Sequence, residues 1–437
     1  MELKKYKLGE ILDVTRGASL SGEFYATEGE YIRLTCGNFD YQNNCFKENK
    51  SKDNLYYTGD FRSEFLMEKG DIITPLTEQA IGLLGSTAII PESGKYIQSQ
   101  DVAKIICKED LLDKDFAFYL ISSTLVKQQL SAAAQQTKIR HTSPDKIKDC
   151  TVWIPELAEQ KRISKLLRSL DCKIELNRVI NQNLEAMAKR LYDYWFVQFD
   201  FPDENGRPYK SSGGKMIWNE KLKREIPENW KVMELRDVVN VNRGISYNSE
   251  TILGDGVPMI NLASFNIDGT YKHSGIKTYN GSYSEDKILK PFDLVMCNTQ
   301  QTAIDFSKDI IGKAFLVPFI FKGDVVSSHH VTTLIPKQKE MKAYIAYLSN
   351  TKHFHKYATG CCSGTNIMGI NYIGLSQYKM EVPPLKLLQQ FESIIIQIEK
   401  QKGLIILENE MLAKQRDELL PLLMNGQVSV NSDLSAY

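Results

Sequence analysis

The chain has 437 residues, of which 42% are hydrophobic and 25% are charged, as in ordinary globular proteins. This length predicts about two to four domains. The 54 basic and 54 acidic residues cancel, so the whole chain has no excess charge that would draw it to nucleic acid or to a membrane. If DNA is the ligand, the basic surface must be local, or another subunit must supply much of the attraction to phosphate.

The composition also bears on location. No apolar run approaches the roughly 18 residues of a membrane span, and the N-terminal residues show no apolar signal-peptide region. The eight cysteines are scattered, with no CxxC pair and no shared spacing, which favours free thiols in a reducing compartment. We therefore expect a cytoplasmic protein.

Residues 1–155 predict a compact domain built on short strands. Its apolar segments are brief and are separated by Gly, Asp, Asn or Pro, which is typical of a mixed or antiparallel sheet. The expected strands lie near residues 31–34, 71–74, 86–90 and 102–106. One helix is expected over residues 114–130.

A long helix is predicted over residues 156–198. From Ile163 to Trp195 the apolar residues recur by four and three, which forms a heptad seam with no proline or glycine inside it. A helix of about 40 residues measures roughly 60 Å. Asn181 lies on this seam, and a buried Asn can fix helix register, although a local irregularity is the alternative.

Residues 199–229 connect this helix to the second half of the chain. The segment is rich in Gly, Pro, Asn, Ser and charged residues. We expect an ordered loop, because Tyr209, Met216, Ile217 and Trp218 offer apolar anchors.

The second half repeats the first at an offset near 228 residues. The best matches pair residues 8–17 with 235–244, 85–91 with 312–318, and 137–157 with 365–385. A repeat of this length is a duplicated domain rather than a solenoid unit. It predicts a second domain over residues 230–384, with strands near 259–262, 294–296 and 314–317 and a helix near 341–354.

A second long helix and a C-terminal tail are predicted over residues 385–437. Lys402 and Arg416 interrupt its seam, and Asn409 lies at the position that matches Asn181. The expected fold is therefore α+β, with two duplicated domains of mixed or antiparallel sheet joined by two long helices. An antiparallel coiled coil would relate the copies by a pseudo-twofold axis, which suits double-stranded DNA.

At this point the sequence resembles the specificity subunits of type I restriction–modification systems. The connecting segment carries the resemblance most strongly, in FDFP at 199–202, GRPYKSSGG at 206–214 and IPENW at 226–230. IPELAEQKRI at 154–163 resembles the start of the family's first long helix. LLPLLMNGQV at 419–428 resembles its C-terminal end. The match is weaker at the second helix, where Leu388-Gln389 replaces the usual Glu-Gln.

The resemblance implies two target recognition domains, each reading one half of an asymmetric, split DNA site, with the helices setting the gap. It also implies two copies of a methylation subunit that uses S-adenosylmethionine to methylate adenine N6. A motor-nuclease subunit, with ATP and Mg²⁺, can join such a complex. The chain itself is expected to be non-catalytic and to hold no cofactor.

The sequence lacks the motifs expected of an ATPase or an adenine methyltransferase. There is no GxxxxGK[ST] phosphate loop and no [ND]PP[YF] adenine-methyltransferase motif. His and Cys residues of the second copy suggest zinc ligands, but the first copy has Gln100-Asp101 in place of His329-His330. We expect packing or surface roles for the set His329, His330, His353, His355, Cys361 and Cys362.

Polar loops at matching places in the two copies are the predicted DNA-reading residues. Asn and Gln can pair with adenine, Glu can accept from cytosine, and Arg can bind guanine or a phosphate. The candidates are Arg16, Thr77, Glu78, Gln79, Lys138 and Arg140 in the first copy, and Arg243, Asn298, Thr299, Gln300, Gln301 and Asn366 in the second. The alternatives are variable surface loops, a polar strand edge, or a turn with a salt bridge at the recurring Arg-Gly.

A second apolar stripe on the long helices predicts a docking surface for another chain. Its members are Leu166, Ile180, Met187, Tyr194, Trp195, Phe196, Ile394 and Leu404. The alternative is that the connecting segment and the domains cover these residues within the monomer. Two other functions stay open at this point: a coiled-coil scaffold that binds proteins, and a metal-dependent enzyme.

Overall fold

The computed structural model describes residues 2–49, 53–78, 82–133, 140–252, 254–301 and 309–430. The chain divides into two compact units: unit 1 is Met1–Glu175 with Glu410–Tyr437, and unit 2 is Leu176–Asn409. Each unit contains one copy of the repeat and part of both long helices. None of the helices in the described ranges is long and apolar enough to cross a membrane.

Unit 1 is made of short strands with four helices before the first long one. Its strands are β1 (Lys4–Lys7), β2 (Leu12–Arg16), β3 (Tyr25–Ala26), β4 (Tyr31–Arg33), β5 (Phe39–Asp40), β6 (Cys45–Phe46), β7 (Tyr56–Tyr57), β8 (Ile72–Pro75), β9 (Thr77–Glu78), β10 (Ala88–Ile89), β11 (Tyr96–Ile97), β12 (Val102–Cys107), β13 (Arg140–His141) and β14 (Thr151–Ile154). Its helices are α1 (Leu8–Ile11), α2 (Lys114–Ile121), α3 (Thr124–Ala133), α4 (Pro144–Lys148) and the first part of α5 (Leu157–Tyr192).

The core of unit 1 lies on an antiparallel sheet in the order β10-β8-β12-β2. A second sheet has the order β11-β4-β7-β3, and β1 pairs with β14. All four residues of β8 are buried, because the sheet is covered on both faces. The strands predicted from the sequence are confirmed, with bounds that differ by one or two residues.

Unit 2 repeats this plan. Its strands are β15 (Met216–Asn219), β16 (Arg224–Pro227), β17 (Lys231–Glu234), β18 (Val239–Arg243), β19 (Val257–Ile260), β20 (Lys277–Tyr279), β21 (Leu294–Cys297), β22 (Thr299–Gln301), β23 (Ala314–Leu316), β24 (Val326–Ser327), β25 (Val331–Pro336), β26 (Cys362–Ser363), β27 (Ile367–Ile370) and β28 (Lys379–Val382). Its helices are α6 (Leu235–Val238), α7 (Lys342–Ser349), α8 (Lys352–Gly360), α9 (Tyr372–Ser376) and most of α10 (Leu385–Met424).

The central sheet of unit 2 has the order β23-β21-β25-β18, which is the order of unit 1 with equivalent strands. β17 pairs with β28 as β1 pairs with β14, so in both units the first strand lies beside the strand that precedes the long helix. The predicted duplication is therefore confirmed at the level of topology.

Each single helix predicted inside the two copies is in fact a pair. The region 114–130 forms α2 and α3, and 341–354 forms α7 and the start of α8. The breaks occur where a hydroxyl side chain caps the backbone: Ser123 accepts from the amide of Val126 at 3.5 Å, and Thr351 accepts from that of Phe354 at 3.2 Å. Such side chains compete with the helix and favour its N-terminal cap.

The connecting segment is ordered, as predicted, but by partly different anchors. Tyr209 stacks on Phe201 with ring centroids 4.7 Å apart, and Phe201 stacks on Trp230 at 5.5 Å. β15 and β16 form a hairpin. The expectation that Ile217 and Trp218 are anchors is wrong, because both side chains are exposed.

Within each unit the two long helices run antiparallel, with polar pairs among the apolar seam residues. In unit 1, Arg416 donates to Asp171 at 3.0 Å. In unit 2, Asn177 donates to Asn409 at 2.9 Å, and Lys402 donates to Glu185 at 2.5 Å. The interruptions at Lys402 and Arg416 are therefore places where a cation meets a carboxylate of the other helix.

Lys402 lies between two acidic side chains in unit 2. Its ammonium also donates to Glu399 at 2.8 Å, and the three side chains are largely buried. Burial alone would lower the pKa of Lys402, but the carboxylates of Glu399 and Glu185 raise it above its usual value. Burial raises the pKa of Glu399. The cation thus compensates two carboxylates that are largely removed from water.

Replacing Lys402 by alanine is expected to lower the free energy of unfolding of unit 2 by about 3 kcal/mol, because two buried carboxylates lose their counter-charge. Hydrogen exchange of α5 and α10 peptides would measure the effect. The matched control is Lys414→Ala on the same helix, where an exposed pair with Glu418 spans 3.9 Å. That control should change stability by less than about 0.5 kcal/mol. Equal effects of the two variants would contradict the interpretation.

Candidate nucleic-acid interface

In each unit the two predicted DNA-reading loops are the strands of one ribbon. β9 pairs with β13, with Arg140 opposite Glu78. β22 pairs with β27, with Gln300 opposite Met368. One residue separates each ribbon from a central strand, β8 or β21. The sequence matched the loops between copies, and the structure adds that the loops within one copy are hydrogen-bonded neighbours.

In the ribbon of unit 1, some candidate side chains are buried and others are accessible. Glu78 is buried, accepts from the amide of Gly82 at 2.9 Å and faces Arg140 at 3.6 Å. Arg140 also donates to Ser131 at 3.0 Å, yet much of its side chain stays accessible. Thr77 is buried. Arg140 is thus the accessible candidate here, while Gln79 and Lys138 lie outside the described residues.

Side chains of the unit 2 ribbon divide in the same way. Asn298 is buried and donates to the carbonyl of His329 at 3.1 Å and to Thr332 at 2.8 Å, so it supports the ribbon. Gln300 is half-buried and accepts from the amide of Ile310 at 2.6 Å. Asn366 is exposed just before β27. Contact of these residues with bases stays a prediction.

The recurring Arg-Gly forms the same corner in both units. Arg16 and Arg243 are exposed at the ends of β2 and β18. Arg16 donates through Nε to the carbonyl of Gln100 at 2.8 Å, and the guanidinium of Arg243 lies 5.7 Å from the ring centroid of Tyr372.

The glycines recur because the backbone passes very close to another strand. A Cβ on Gly17 would lie 2.2 Å from the carbonyl oxygen of Gln98, and one on Gly244 would lie 2.1 Å from that of Ser328. No side chain fits at such a distance, and the recurrence of glycine is therefore a packing requirement.

Sequence reasoning left one part of this surface unassigned. The turn before β12 consists of Gln100 and Asp101, and the turn before β25 consists of His329 and His330. Thr77 donates to Asp101 at 3.4 Å, and the Thr299 hydroxyl lies 2.6 Å from Nδ1 of His330. The sequence did contain a signal for these turns, because the residue types differ at matched positions while the residues on either side are similar.

The His and Cys residues that suggested zinc do not form a ligand set. Among the described residues no group of three or more His, Cys, Asp or Glu side chains is placed to hold a metal ion. The rings of His329 and His330 instead contact each other with centroids 3.8 Å apart and planes tilted by 41°, and His353 lies on α8 with its ring 6.0 Å from that of Tyr378.

The predicted docking residues fall into two groups. Trp195 and Phe196 are only 7% and 2% exposed and belong to the core of unit 2, where Phe196 packs 4.8 Å from both Phe391 and Tyr344. For these two the structure favours the alternative, burial within the monomer. Leu166 is half-buried against the core of unit 1. The exposed members are Ile180, Met187, Tyr194, Ile394 and Leu404.

Comparisons with known proteins agree for both halves. A family model described as the type I restriction modification DNA specificity domain matches residues 1–186 and 227–408. The HindI specificity subunit of Haemophilus influenzae is 22% identical and aligns over 97% of this chain and 99% of its own. The MjaIX specificity subunit of Methanocaldococcus jannaschii is 22% identical over 76% of this chain and 73% of its own. The crystal structure of an S subunit from M. genitalium has the same fold, with a TM-score of 0.58, 16% identity and coverage of 97% and 96%.

Gly244→Ala is expected to destabilise the corner of unit 2 by about 1–3 kcal/mol, because the new methyl group overlaps the carbonyl of Ser328. Hydrogen exchange of β18 and β25 would report the loss. Gly360→Ala is the matched control, since a Cβ there meets no atom within 4 Å and the residue ends a helix. The control should leave stability unchanged or slightly raised. Tolerance of both substitutions would show that the corner is not constrained.

Proposed function

This chain belongs to the family of type I restriction–modification DNA specificity subunits, and we propose that each of its two units reads one half of an asymmetric, bipartite DNA site. One observation carries the proposal: the same ribbon and corner recur in both units with different side chains. Arg140 stands opposite Glu78 in unit 1, where Met368 stands opposite Gln300 in unit 2. A shared framework with different hydrogen-bonding groups suits two readers of different base sequences.

The corner and the ribbon have different roles in this proposal. Arg16 and Arg243 recur at equivalent exposed positions, so they hold phosphates and set the position of each unit along the duplex. Base contacts come from residues that differ between units. Among them are Arg140 in unit 1 and Gln300 and Asn366 in unit 2, with Lys138 as a further candidate; Gln79 and Gln301, which are the same residue at matched positions, are candidates for contacts that both units share. The buried residues Thr77, Glu78 and Asn298 hold the ribbons in shape.

The long helices dock the partner subunits. Four apolar residues of α5 in unit 2 are exposed, and their positions along the helix place them on one face. They are Leu176, Val179, Ile180 and Met187. On α10, Ile394 and Leu404 are exposed as well. Two methylation subunits cover such surfaces, and they supply S-adenosylmethionine and adenine N6 methylation.

In this proposal the partner subunits carry out the reactions of the complex. This chain selects the sequence and carries no catalytic centre, and a motor-nuclease subunit with ATP and Mg²⁺ completes the restriction complex where it is present. The expected site of action is the cytoplasm, where the host DNA is methylated.

Co-expression with the cognate methylation subunit, followed by methylation sequencing, tests the proposed function. We expect adenine methylation at a single bipartite motif. Arg140→Ala should relax the preferred base in one half only, with a loss of about 1–3 kcal/mol in discrimination. Arg207→Ala is the control, because Arg207 is an exposed arginine of the connecting segment that pairs with Asp203. Absence of any methylated motif in an assembled complex would favour the scaffold function.

Docking is tested separately by Ile180→Glu with Met187→Glu. Both side chains are exposed, so the fold should be retained, while charges placed in an apolar interface should abolish co-purification with the methylation subunit. Ile267→Glu is the matched control, because Ile267 is 57% exposed outside the long helices. Normal co-purification of the double variant would exclude this face of α5 as the docking surface.

A further inference from the structure

The turns at residues 100–101 and 329–330 occupy the same place in the two units. Ser99 and Ser328, just before them, form parallel bridges with the residues that follow Gly17 and Gly244. In both turns the first residue is exposed and the second is half-buried, and a central strand follows at once. The equivalence is therefore structural, although the side chains within the two turns differ.

Each turn joins the Arg-Gly corner to the ribbon. In unit 1, Arg16 donates to the Gln100 carbonyl at 2.8 Å, and the amide of Leu76 donates to the Asp101 carbonyl at 2.8 Å. In unit 2, the amide of Asn298 donates to the His330 carbonyl at 3.0 Å. The turn thus lies between the residues proposed to hold phosphate and those proposed to meet bases.

A threonine hydroxyl orients the second residue of each turn. Thr77 reaches Oδ1 of Asp101 at 3.4 Å, and Thr299 lies 2.6 Å from Nδ1 of His330. Thr77 and Thr299 each begin their ribbon strand, so the same hydroxyl position meets the carboxylate of the turn in one unit and the imidazole of the turn in the other. In unit 1 the Thr77 hydroxyl also lies 3.4 Å from Nδ1 of His141 on the paired strand.

The side chains at these matched positions differ in hydrogen-bonding character. An ionised Asp101 can only accept hydrogen bonds. The imidazole of His330 is partly buried beside His329 and Lys277, and burial first, then these two neighbours, lower its pKa, which favours the neutral ring. When the Thr299 hydroxyl donates to Nδ1, the proton of a neutral ring is on Nε2, which is then a donor.

Aromatic ring contacts accompany this change in unit 2. The rings of His329 and His330 are tilted by 41° with centroids 3.8 Å apart, and the ring of Tyr247 lies 5.4 Å from that of His329. Lys277 lies 6.0 Å from the centroid of the Tyr247 ring. These contacts on the exposed His329 ring favour a defined orientation at the surface, which a reading residue requires.

We propose that residues 100–101 and 329–330 are specificity-determining elements that contact base edges, an inference that rests on the proposed function. Asp101 accepts from an exocyclic amino group, as on cytosine N4 or adenine N6. His330 donates to an acceptor edge, as on guanine O6 or N7. The two turns therefore read base edges of opposite hydrogen-bond polarity, a donor edge in one half-site and an acceptor edge in the other.

Exchange of the two turns tests the inference in the assembled complex with the methylation subunit. One variant carries His329→Gln and His330→Asp, and the reciprocal variant carries Gln100→His and Asp101→His. Affinity is measured for the native site and for duplexes with every base pair of each half replaced in turn. We expect each exchange to weaken binding of the native site roughly 10- to 100-fold and to change the preferred base in one half only.

His353→Gln is the matched control, because it removes an exposed histidine of unit 2 that lies on α8. It should leave all base preferences unchanged. Size-exclusion chromatography checks assembly, and if an exchanged variant does not assemble, the single substitution His329→Gln at the exposed position decides the question by the same binding panel.

Several outcomes would overturn the inference. Unchanged preferences in both halves would remove the turns from base reading. A uniform loss across all sequences, with the salt dependence reduced by about one charge, would indicate a phosphate contact instead. Changes in both halves from one exchange would indicate a general structural role. If the unmodified complex prefers no bipartite site, the proposed function itself fails, whatever the variants do.

Discussion

The proposed recognition surface of each unit depends on one close approach of backbone to backbone. Gly17 and Gly244 pass so near the carbonyls of the neighbouring segment that only glycine fits. This contact fixes the end of β2 or β18, the arginine there, and the start of the turn that leads into β12 or β25. Because the ribbon is hydrogen-bonded to that turn, the whole surface is positioned by rigid strands rather than by free loops.

A framework of this kind separates positioning from reading. Strand pairings, the glycine corner and the threonines that begin the ribbons are shared, so they can be retained while the exposed side chains change. Exchange of a carboxylate for an imidazole at one turn position alters the hydrogen-bonding edge without altering the backbone that presents it. Duplication of such a framework gives two independent readers, because neither surface needs the other's side chains.

Sequence patterns predicted most of the framework and only part of the surface. The short strands, the heptad seam and the repeat could be predicted, because each leaves a direct pattern in the sequence. The helix break at Ser123 depends on a cap, and the partners of Lys402 and Arg416 are more than 200 residues away, so neither is visible locally. The sequence predicted an interface at Trp195 and Phe196, because an aromatic cluster in a sequence does not show whether the same chain or a partner buries it. The ribbons were found as separate loops, since pairing of distant strands has no sequence signature.

The zero net charge of the chain agrees with this separation of positioning from base reading. Phosphate attraction is independent of sequence, and a strongly basic reader would bind all DNA tightly. With 54 basic and 54 acidic residues, this chain has no net charge to add to that attraction, which leaves only local groups such as Arg16 and Arg243 to provide it. Discrimination between sites is the difference between specific and non-specific binding, so a weak electrostatic background leaves the base-edge contacts to decide where the protein stays. Under the proposed function, further affinity for the duplex as such would come from the partner subunits rather than from this chain.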